Sequence, residues 1–260
     1  MARKETYRER YTNKLVNAGE TPVPPVRRER ILIDPEIQKT YLEGKVLLIN
    51  KPLHWTSFDV VRKLRSLLQV KKIGHAGTLD PLATGLLIVC TGKFTKKINE
   101  YMAREKEYTG TITLGAVTPT YDLESEPHLQ KDFSFVTHQM LVETAAKFTG
   151  EQEQVPPVFS AIKKDGVASY ELARRGAGVP LEPRKVVISS FDITGVEIPV
   201  LQFRVTCTTG TYIRSLANDF GAALGCGGYL SSLCRTRIGE FKVEEAVDME
   251  GFEEKIVHGN

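Results

Sequence analysis

The segment Gly74–Gly85 concentrates the residue types that chemistry needs. It reads Gly-His-Ala-Gly-Thr-Leu-Asp-Pro-Leu-Ala-Thr-Gly, and Asp80 is its only carboxylate. Its glycines let the backbone approach a ligand closely, and Pro81 pushes Asp80 towards extended geometry. The apolar run 86–90 follows directly and predicts a short buried strand, so the loop has a firm support. A carboxylate held in this way is placed for acid–base or nucleophilic work, although an Asp-Pro pair among glycines also fits an ordinary turn.

Basic residues are concentrated around this loop. Residues 51–110 contain eleven Lys or Arg and five Asp or Glu, a net charge of +6, whereas residues 120–155 contain two and seven, a net charge of −5. A cationic region favours a polyanion such as RNA as the partner. The whole chain has a net charge of only +3, and on charge alone a solvated lysine-rich face is the favoured interpretation.

Composition excludes several classes of protein. The 260 residues, of which 41% are hydrophobic and 26% charged, suffice for one large or two small globular domains. Four cysteines without Cys-x-x-Cys spacing predict free thiols in a reducing cytoplasm and no zinc site. Because the N-terminus is charged throughout, no secretory signal is expected, and apolar runs of about five residues are far too short to span a membrane. Gly92-Lys93 lacks the spacing of a phosphate-binding loop, so no nucleotide triphosphate site is predicted.

Apolar periodicity predicts a mixed α/β (α+β) domain with a largely antiparallel sheet. Strands are expected at 46–50, 86–90, 108–114, 186–196 and 201–207. Helices are expected to begin at Thr56 or Ser57, near Thr137 and after Gly210. The first and third are each expected to bury one apolar face, made of Val60, Val61, Leu64, Leu67 and Leu68 in the first and of Ile213, Leu216, Ala217, Phe220 and Leu224 in the third. In the second of these helices, the residues expected to face inward are Leu141, Val142, Ala145 and Phe148.

Three segments outside these elements have a distinct composition. Residues 1–30 carry eight basic and four acidic side chains and are interpreted as a basic arm. Residues 31–35 are expected to form a short edge strand. The segment 154–163 contains two prolines with basic and aromatic residues, which is typical of an exposed segment; an ordinary surface hairpin is the alternative.

Several motifs, in order, resemble those of the TruB family of tRNA pseudouridine synthases. The resemblance extends from about residue 45 to about residue 241. The motifs are Lys51-Pro52 ahead of Thr56-Ser57-Phe58-Asp59; the Asp80 loop; Tyr108, Leu114-Gly115 and Thr118-x-Thr120-x-Asp122; Gly210-Thr211-Tyr212-Ile213-Arg214; and Leu230, Leu233, Arg235-Thr236 and Gly239-Glu240-Phe241.

The resemblance implies the pseudouridine synthase fold, a central sheet crossed by a catalytic cleft with a smaller inserted RNA-clamping subdomain. Residues 1–44 would be a basic N-terminal extension and 45–245 the catalytic domain, with the insertion at about 154–184. Residues 246–260 would be a short tail, too short for the C-terminal RNA-binding domain of the PUA type found in longer members. The implied partner is the TΨC stem-loop of tRNA, with uridine 55 as the target. A monomer without an obligatory protein partner is expected, located in the cytoplasm.

The family's reaction breaks the N1–C1′ bond of a uridine, turns the base and rejoins it through C5, with neither cofactor nor metal. The resemblance assigns catalysis to Asp80, Arg214 and Tyr108. A guanidinium beside a carboxylate keeps it charged and oriented, which is the implied role of Arg214. Tyr108 would stack on the flipped-out base and is also the family's candidate for a general base. Whether Asp80 attacks the sugar or the base stays open.

The remaining assignments implied by the resemblance concern substrate or RNA binding. They are His75, Tyr212, Asp122, Leu233, Lys51, Lys163 and Arg174. His75 would fill the gap left by the base or hold the flipped-out RNA, and Asp122 would bond the displaced strand. Tyr212 and Leu233 would line the base pocket. For Lys51, a structural role and a phosphate contact are both open.

Two departures and three alternatives accompany this interpretation. Tyr229 and Cys234 replace a histidine and one of two arginines that the family commonly has, which puts one phosphate contact in doubt. A non-catalytic RNA-binding or RNA-folding protein could keep the same scaffold, although such a protein has no use for Asp80. A guide-RNA-dependent relative would rely on the PUA domain. A glycoside hydrolase would need a second catalytic carboxylate, and none stands out beside Asp80.

Overall fold

The structure is a computed structural model that describes residues 33–160, 162–164, 167–169, 173 and 181–258. The strands in chain order are β1 (Val46–Lys51), β2 (Ile73–His75), β3 (Ala83–Thr91), β4 (Lys106–Leu114), β5 (Gly150–Gln154), β6 (Lys163–Lys164), β7 (Val167–Ala168), β8 (Arg184–Glu197), β9 (Val200–Cys207), β10 (Gly228–Ile238) and β11 (Phe241–Lys242). The helices are α1 (Pro35–Glu43), α2 (Ser57–Leu68), α3 (Ile98–Ala103), α4 (His138–Lys147), α5 (Ile213–Ala223) and α6 (Met249–His258), with 3₁₀ turns at Gly92–Lys97 and Val243–Glu245. The predicted basic arm, residues 1–30, lies outside the described residues.

The chain divides into two compact units. The first consists of the described residues up to Met102 together with those from Phe241 onward, and the second of residues 103–240. The first unit is therefore discontinuous in sequence. The strand pairs within each unit are antiparallel, which confirms the predicted character of the sheet.

In the first unit, β3 lies between β1 and β2. α2 forms because Thr56 caps its N-terminus: the Thr56 hydroxyl accepts from Asp59 N at 3.0 Å, and the Asp59 carboxylate accepts from Thr56 N at 2.9 Å. Its apolar face is buried as predicted. The core combines this face with β1, β3 and α6; among its members are Ile49, Val60, Val61, Leu64, Leu87, Val89, Met249, Phe252 and Ile256.

Two ends of this unit differ from expectation. The predicted edge strand at 31–35 is wrong where the structure describes it, because Asp34 caps α1 by accepting from Glu36 N at 2.8 Å and Ile37 N at 3.2 Å. The segment interpreted as a short tail contains α6. That helix buries Phe252 and Ile256 at 3% and 5% exposure in the core, a packing that the sequence did not indicate.

In the second unit, the strand order is β10-β4-β9-β8-β5. α5 packs on β10 and α4 on β8. Phe191 joins sheet and helix through edge-to-face contacts with Phe203 and Phe220, with ring centroids 6.0 and 5.3 Å apart. One predicted inward residue is wrong: Val142 is 49% exposed. The buried residues of α4 are Leu141, Thr144 and Ala145, because residues three and four apart share a helix face and the next residue turns away.

Candidate functional site

The Asp80 loop is supported by β3, as its apolar run predicted. The run 86–90 is fully buried. β3 begins earlier than expected, at Ala83, and Ala83 N donates to Asp80 O at 3.0 Å. Gly85 has a φ of +99°, a backbone conformation that residues other than glycine rarely adopt. The Asp80 side chain lies on this short turn and is partly exposed.

The main chain on both sides of Asp80 is hydrogen-bonded to the start of α2 and to the turn that precedes it. Leu79 N donates to Ser57 Oγ at 2.8 Å, and Ser57 Oγ donates to Leu79 O at 3.2 Å. On the other side, His54 N donates to Pro81 O at 2.8 Å. Ser57 is 1% exposed and Leu79 is 4% exposed. The carboxylate therefore stands between two fixed backbone points.

Lys51 is fully buried. Its Nζ donates to Trp55 O at 2.6 Å and to Pro52 O at 2.9 Å. An ammonium group needs such carbonyl partners when it leaves water. Of the two roles open for Lys51, these contacts favour the structural one, since they hold the turn between β1 and α2.

His75 ends β2 and lies opposite Val89 of β3. The pairing continues through Ala76 N, which donates to Ile88 O at 2.8 Å. The backbone entering the Asp80 loop is thus held in the sheet. The His75 side chain is partly exposed, and its role in RNA binding stays a prediction.

In the second unit, Arg214 lies in the first turn of α5 and is 5% exposed. Its Nη1 and Nη2 both donate to Phe159 O at 3.1 Å, and Nη1 also donates to Thr120 O at 3.2 Å. Its Nε lies 3.6 Å from Asp122 Oδ2 in an ion pair. Asp122 is 3% exposed and also accepts from Glu124 N at 3.0 Å. The sequence placed Asp122 against the RNA and gave no sign of this contact with Arg214.

The start of α5 is hydrogen-bonded to the last residue of β5 and to the residue that follows it. Gln154 Oε1 accepts from Tyr212 N at 2.7 Å, and Gln154 Nε2 donates to Tyr212 O at 3.1 Å. Ser215 Oγ donates to Val155 O at 2.8 Å. The Arg184 guanidinium lies 5.2 Å from the centre of the Tyr212 ring, a cation–π distance. The interpretation of 154–163 as an exposed segment is therefore wrong at its start, because Gln154 is 4% exposed.

Tyr108 lies on β4 and is 8% exposed. Its neighbours across the sheet are Arg235 of β10 and Val205 of β9. Two positions earlier, Lys106 is 4% exposed and its Nζ donates to Arg104 O at 2.6 Å. The pKa of Lys106 is lowered from 10.5 to about 8, chiefly by burial and in addition by the charge of Arg235. Two cations thus lie in the sheet near Tyr108, which the sequence did not indicate.

β10 carries Leu233 together with both departures from the family pattern. Leu233 is partly exposed and lies opposite Gly110 of β4. Tyr229 is 9% exposed and Cys234 is partly exposed. The role of Leu233 as an apolar wall of the pocket stays a prediction.

The predicted residues fall into three groups. The first unit holds Asp80, His75 and Lys51. The second unit holds Arg214, Tyr108, Asp122, Tyr212 and Leu233, of which the structure brings Arg214 and Asp122 into contact. For Lys163 only the backbone is described, in the hairpin β6–β7, and Arg174 lies outside the described residues.

Within the described part of the chain, no group of three or more His, Cys, Asp or Glu side chains is arranged to hold a metal ion. Among the helices described, none combines the length and the apolar character needed to cross a bilayer.

Two models of known protein families match this chain. The model of the TruB family pseudouridylate synthase N-terminal domain matches residues 65–213. The model of the tRNA pseudouridylate synthase B C-terminal domain matches residues 214–259. This chain belongs to the TruB family. The resemblance read from the motifs is confirmed, and both Asp80 and Arg214 lie within the matched residues.

Curated TruB relatives are similar over nearly their whole length. The tRNA pseudouridine synthase B of Flavobacterium johnsoniae is 54% identical over 223 residues, which cover 83% of this chain and 97% of the relative. The tRNA pseudouridine synthase B of a Bacteroides fragilis strain is 48% identical over 222 residues, covering 83% of this chain and 95% of the relative.

Solved structures agree with the family. A crystal structure of a Cbf5–Nop10–Gar1 complex superposes with a TM-score of 0.66 at 27% identity, and an H/ACA RNP bound to a substrate RNA with a TM-score of 0.63 at 25% identity. Each superposition covers 88% of this chain and 61% of the other. The chain thus spans about three fifths of those proteins. The pseudouridine synthase fold expected from the motifs is confirmed.

Proposed function

We propose that this TruB-family chain isomerises a uridine of tRNA to pseudouridine. The observation that carries the proposal is the 54% identity to a tRNA pseudouridine synthase B along 97% of that relative's length. The reaction breaks the N1–C1′ bond, forms a C5–C1′ bond, removes the hydrogen from C5 and leaves one on N1. Atoms and electrons balance within the nucleoside, so no co-reactant is required.

Asp80 is the proposed catalytic residue. An ionised carboxylate can attack C1′ or remove a ribose proton, and both routes need it charged and held in one place. The fixed main chain at Leu79 and Pro81 supports this role, because a catalytic group works only from a narrow range of positions.

Arg214 and Tyr108 are proposed to assist Asp80 in catalysis. The Arg214 guanidinium is held by two carbonyl oxygens and the Asp122 carboxylate, which gives its planar group one orientation towards developing negative charge. Tyr108 is proposed to stack on the flipped-out uracil. Because Tyr108 is 8% exposed, stacking would require its surroundings to open.

The substrate is proposed to be uridine 55 in the TΨC stem-loop, and the enzyme to act as a monomer in the cytoplasm without a guide RNA or partner protein. The two curated relatives described above, at 48% and 54% identity, are both tRNA pseudouridine synthases B, whereas the RNA–protein complexes are related at 25% and 27%. The higher similarity supports a tRNA substrate.

The test is to incubate the purified chain alone with an unmodified tRNA transcript and to map pseudouridine by mass-spectrometric sequencing. Conversion at uridine 55 is expected, and a transcript with cytidine at that position should stay unmodified. Conversion only after a guide RNA is added would support the guide-dependent alternative. Tight tRNA binding without any conversion would support the RNA-folding alternative.

A further inference from the structure

We propose that Ser57 is a positioning residue for Asp80, acting through the main chain of Leu79. This inference rests on the proposed catalytic role of Asp80. The Ser57 hydroxyl uses both of its hydrogen-bonding functions on one residue: it accepts from Leu79 N at 2.8 Å and donates to Leu79 O at 3.2 Å. Leu79 is bonded directly to Asp80 in sequence, so the hydroxyl fixes the peptide from which the carboxylate extends.

The Ser57 hydroxyl is available for this purpose because another residue caps the helix. A serine at the start of a helix ordinarily binds the exposed backbone N–H groups of the first turn. Here Thr56 does so, with Asp59 returning the contact. Ser57 therefore faces the Asp80 loop and makes a contact that helix formation does not require.

The support behind Ser57 is rigid. α2 is anchored in the core of the first unit by Val60, Val61 and Leu64, each no more than 2% exposed. The turn that leads into it is held by the buried Lys51 ammonium through Pro52 O and Trp55 O. Movement of the hydroxyl relative to the core is thereby restricted.

The same segment also fixes the other side of Asp80. His54 N donates to Pro81 O at 2.8 Å, so the residues before and after the carboxylate are held by one short stretch of chain. Of these two contacts, only the one from Ser57 comes from a side chain. It is the one that substitution can remove without altering the backbone.

Removing the hydroxyl should displace Asp80 without unfolding the unit. In Ser57→Ala the N–H and C=O of Leu79 lose their partner at a site that is 4% exposed, so the peptide must shift towards water. A misplacement of about 1 Å can lower a rate by roughly 100-fold. Binding of tRNA, which spreads over a large surface, should change little.

The experiment measures single-turnover rates at saturating tRNA, tRNA dissociation constants and melting temperatures for Ser57→Ala, Ser57→Cys and Thr91→Val. Thr91 is a matched control: it is fully buried in the same unit, and its hydroxyl accepts from a backbone group, Lys45 N, at 3.0 Å at the other end of β3. We expect the rate to fall roughly 10- to 100-fold in Ser57→Ala, with Kd within about twofold of wild type. Ser57→Cys should be intermediate, because a thiol is a weak donor and acceptor. Thr91→Val should react like wild type whatever its melting temperature.

Each outcome has one meaning. Equal rates for Ser57→Ala and wild type overturn the positioning role, and so does a rate loss in Thr91→Val of the same size. If Ser57→Ala does not fold, as judged by circular dichroism, the Cys variant carries the test by the same criterion. Wild-type protein that makes no pseudouridine overturns the proposed function instead, and Asp80→Asn that still turns over overturns the catalytic role of Asp80 on which this inference rests.

Discussion

The loop that carries Asp80 is held through its main chain, whereas Arg214 is held through its own side chain. On the Asp80 side the contacts to the loop itself join neutral groups, the Lys51 ammonium holds only the turn before α2, and all of them lie within residues 51–85 of one unit. On the Arg214 side they form a buried charged network that joins three distant stretches of the other unit, around Thr120, Phe159 and α5. Loss of a contact should therefore have different consequences: a shifted loop in the first case, and an uncompensated buried charge in the second.

The largest effect is expected for Asp80→Asn, which keeps the shape of the side chain and removes its charge. Turnover should fall by roughly a thousandfold or more, since a general base or nucleophile is lost. Pseudouridine formation under single-turnover conditions measures this, and filter binding of tRNA should show nearly unchanged affinity. Appreciable turnover in a verified variant would remove Asp80 from the chemistry.

Next in size is Arg214→Lys, which keeps a positive charge and loses the planar guanidinium. A lysine cannot bond Phe159 O, Thr120 O and the Asp122 carboxylate together, so the rate should fall by roughly 100-fold. The same single-turnover assay applies. A variant that turns over like wild type would show that charge alone suffices and that the fixed orientation is irrelevant.

Asp122→Asn tests the difference between the side-chain contacts that hold Arg214 and the main-chain contacts that hold the Asp80 loop. It removes the carboxylate partner of Arg214 in an ion pair whose two side chains are no more than 6% exposed. The free energy of unfolding should fall by roughly 3 kcal/mol, and the rate should fall less than in Arg214→Lys, by about tenfold. Urea denaturation gives the first quantity. Ser57→Ala should show the reverse ratio, a larger loss of rate and a smaller loss of stability. If the two variants behave alike, the contrast between the regions fails.

The smallest effect on turnover is expected for Lys106→Met. This variant tests how much the buried Lys106 charge in the second unit lowers the free energy of unfolding. Lys106 has a pKa of about 8 in the folded chain and 10.5 when unfolded. The unfolded state therefore binds more protons between these values, and the stability of wild type relative to Lys106→Met should rise with pH from about 8 to about 10.5. Below pH 8 the difference should be constant. Denaturation of both proteins across that range measures it, and a flat difference would mean that burial does not disfavour the charge.

The same contrast explains how far the sequence was informative. Asp80, its loop and the buried strand behind it are neighbours in sequence, so local pattern and motif together predicted them. The apolar faces of α2 and α5 were predicted for the same reason. Local pattern says nothing about which distant groups meet, so the pairing of Arg214 with Asp122 was not anticipated.

One other residue and one strand were missed for physical reasons that lie outside local pattern. In the sequence, Gln154 is an ordinary polar residue close to two prolines. Its structural role comes from the hydrogen bonds that its side-chain amide makes with both the N–H and the C=O of Tyr212. Strand β10 was not predicted, because Ser231, Ser232 and the charged residues after Cys234 interrupt its apolar alternation. Pairing with β4 stabilises it instead. Tertiary hydrogen bonding overrode local preference in both cases.

Helix α6 has a consequence for how the protein is made. It closes the core of the first unit, where Phe252 meets the Tyr41 ring at 6.3 Å and Glu253 accepts from Lys63 at 2.7 Å. Residues 33–102 leave the ribosome early, yet their core lacks α6 until residues 249–258 have been synthesised. The second unit, continuous from 103 to 240, has all its residues before then. During translation the unit bearing Asp80 should thus be completed last. Until α6 has been synthesised, the apolar surface that it covers stays exposed and can associate with other nascent chains.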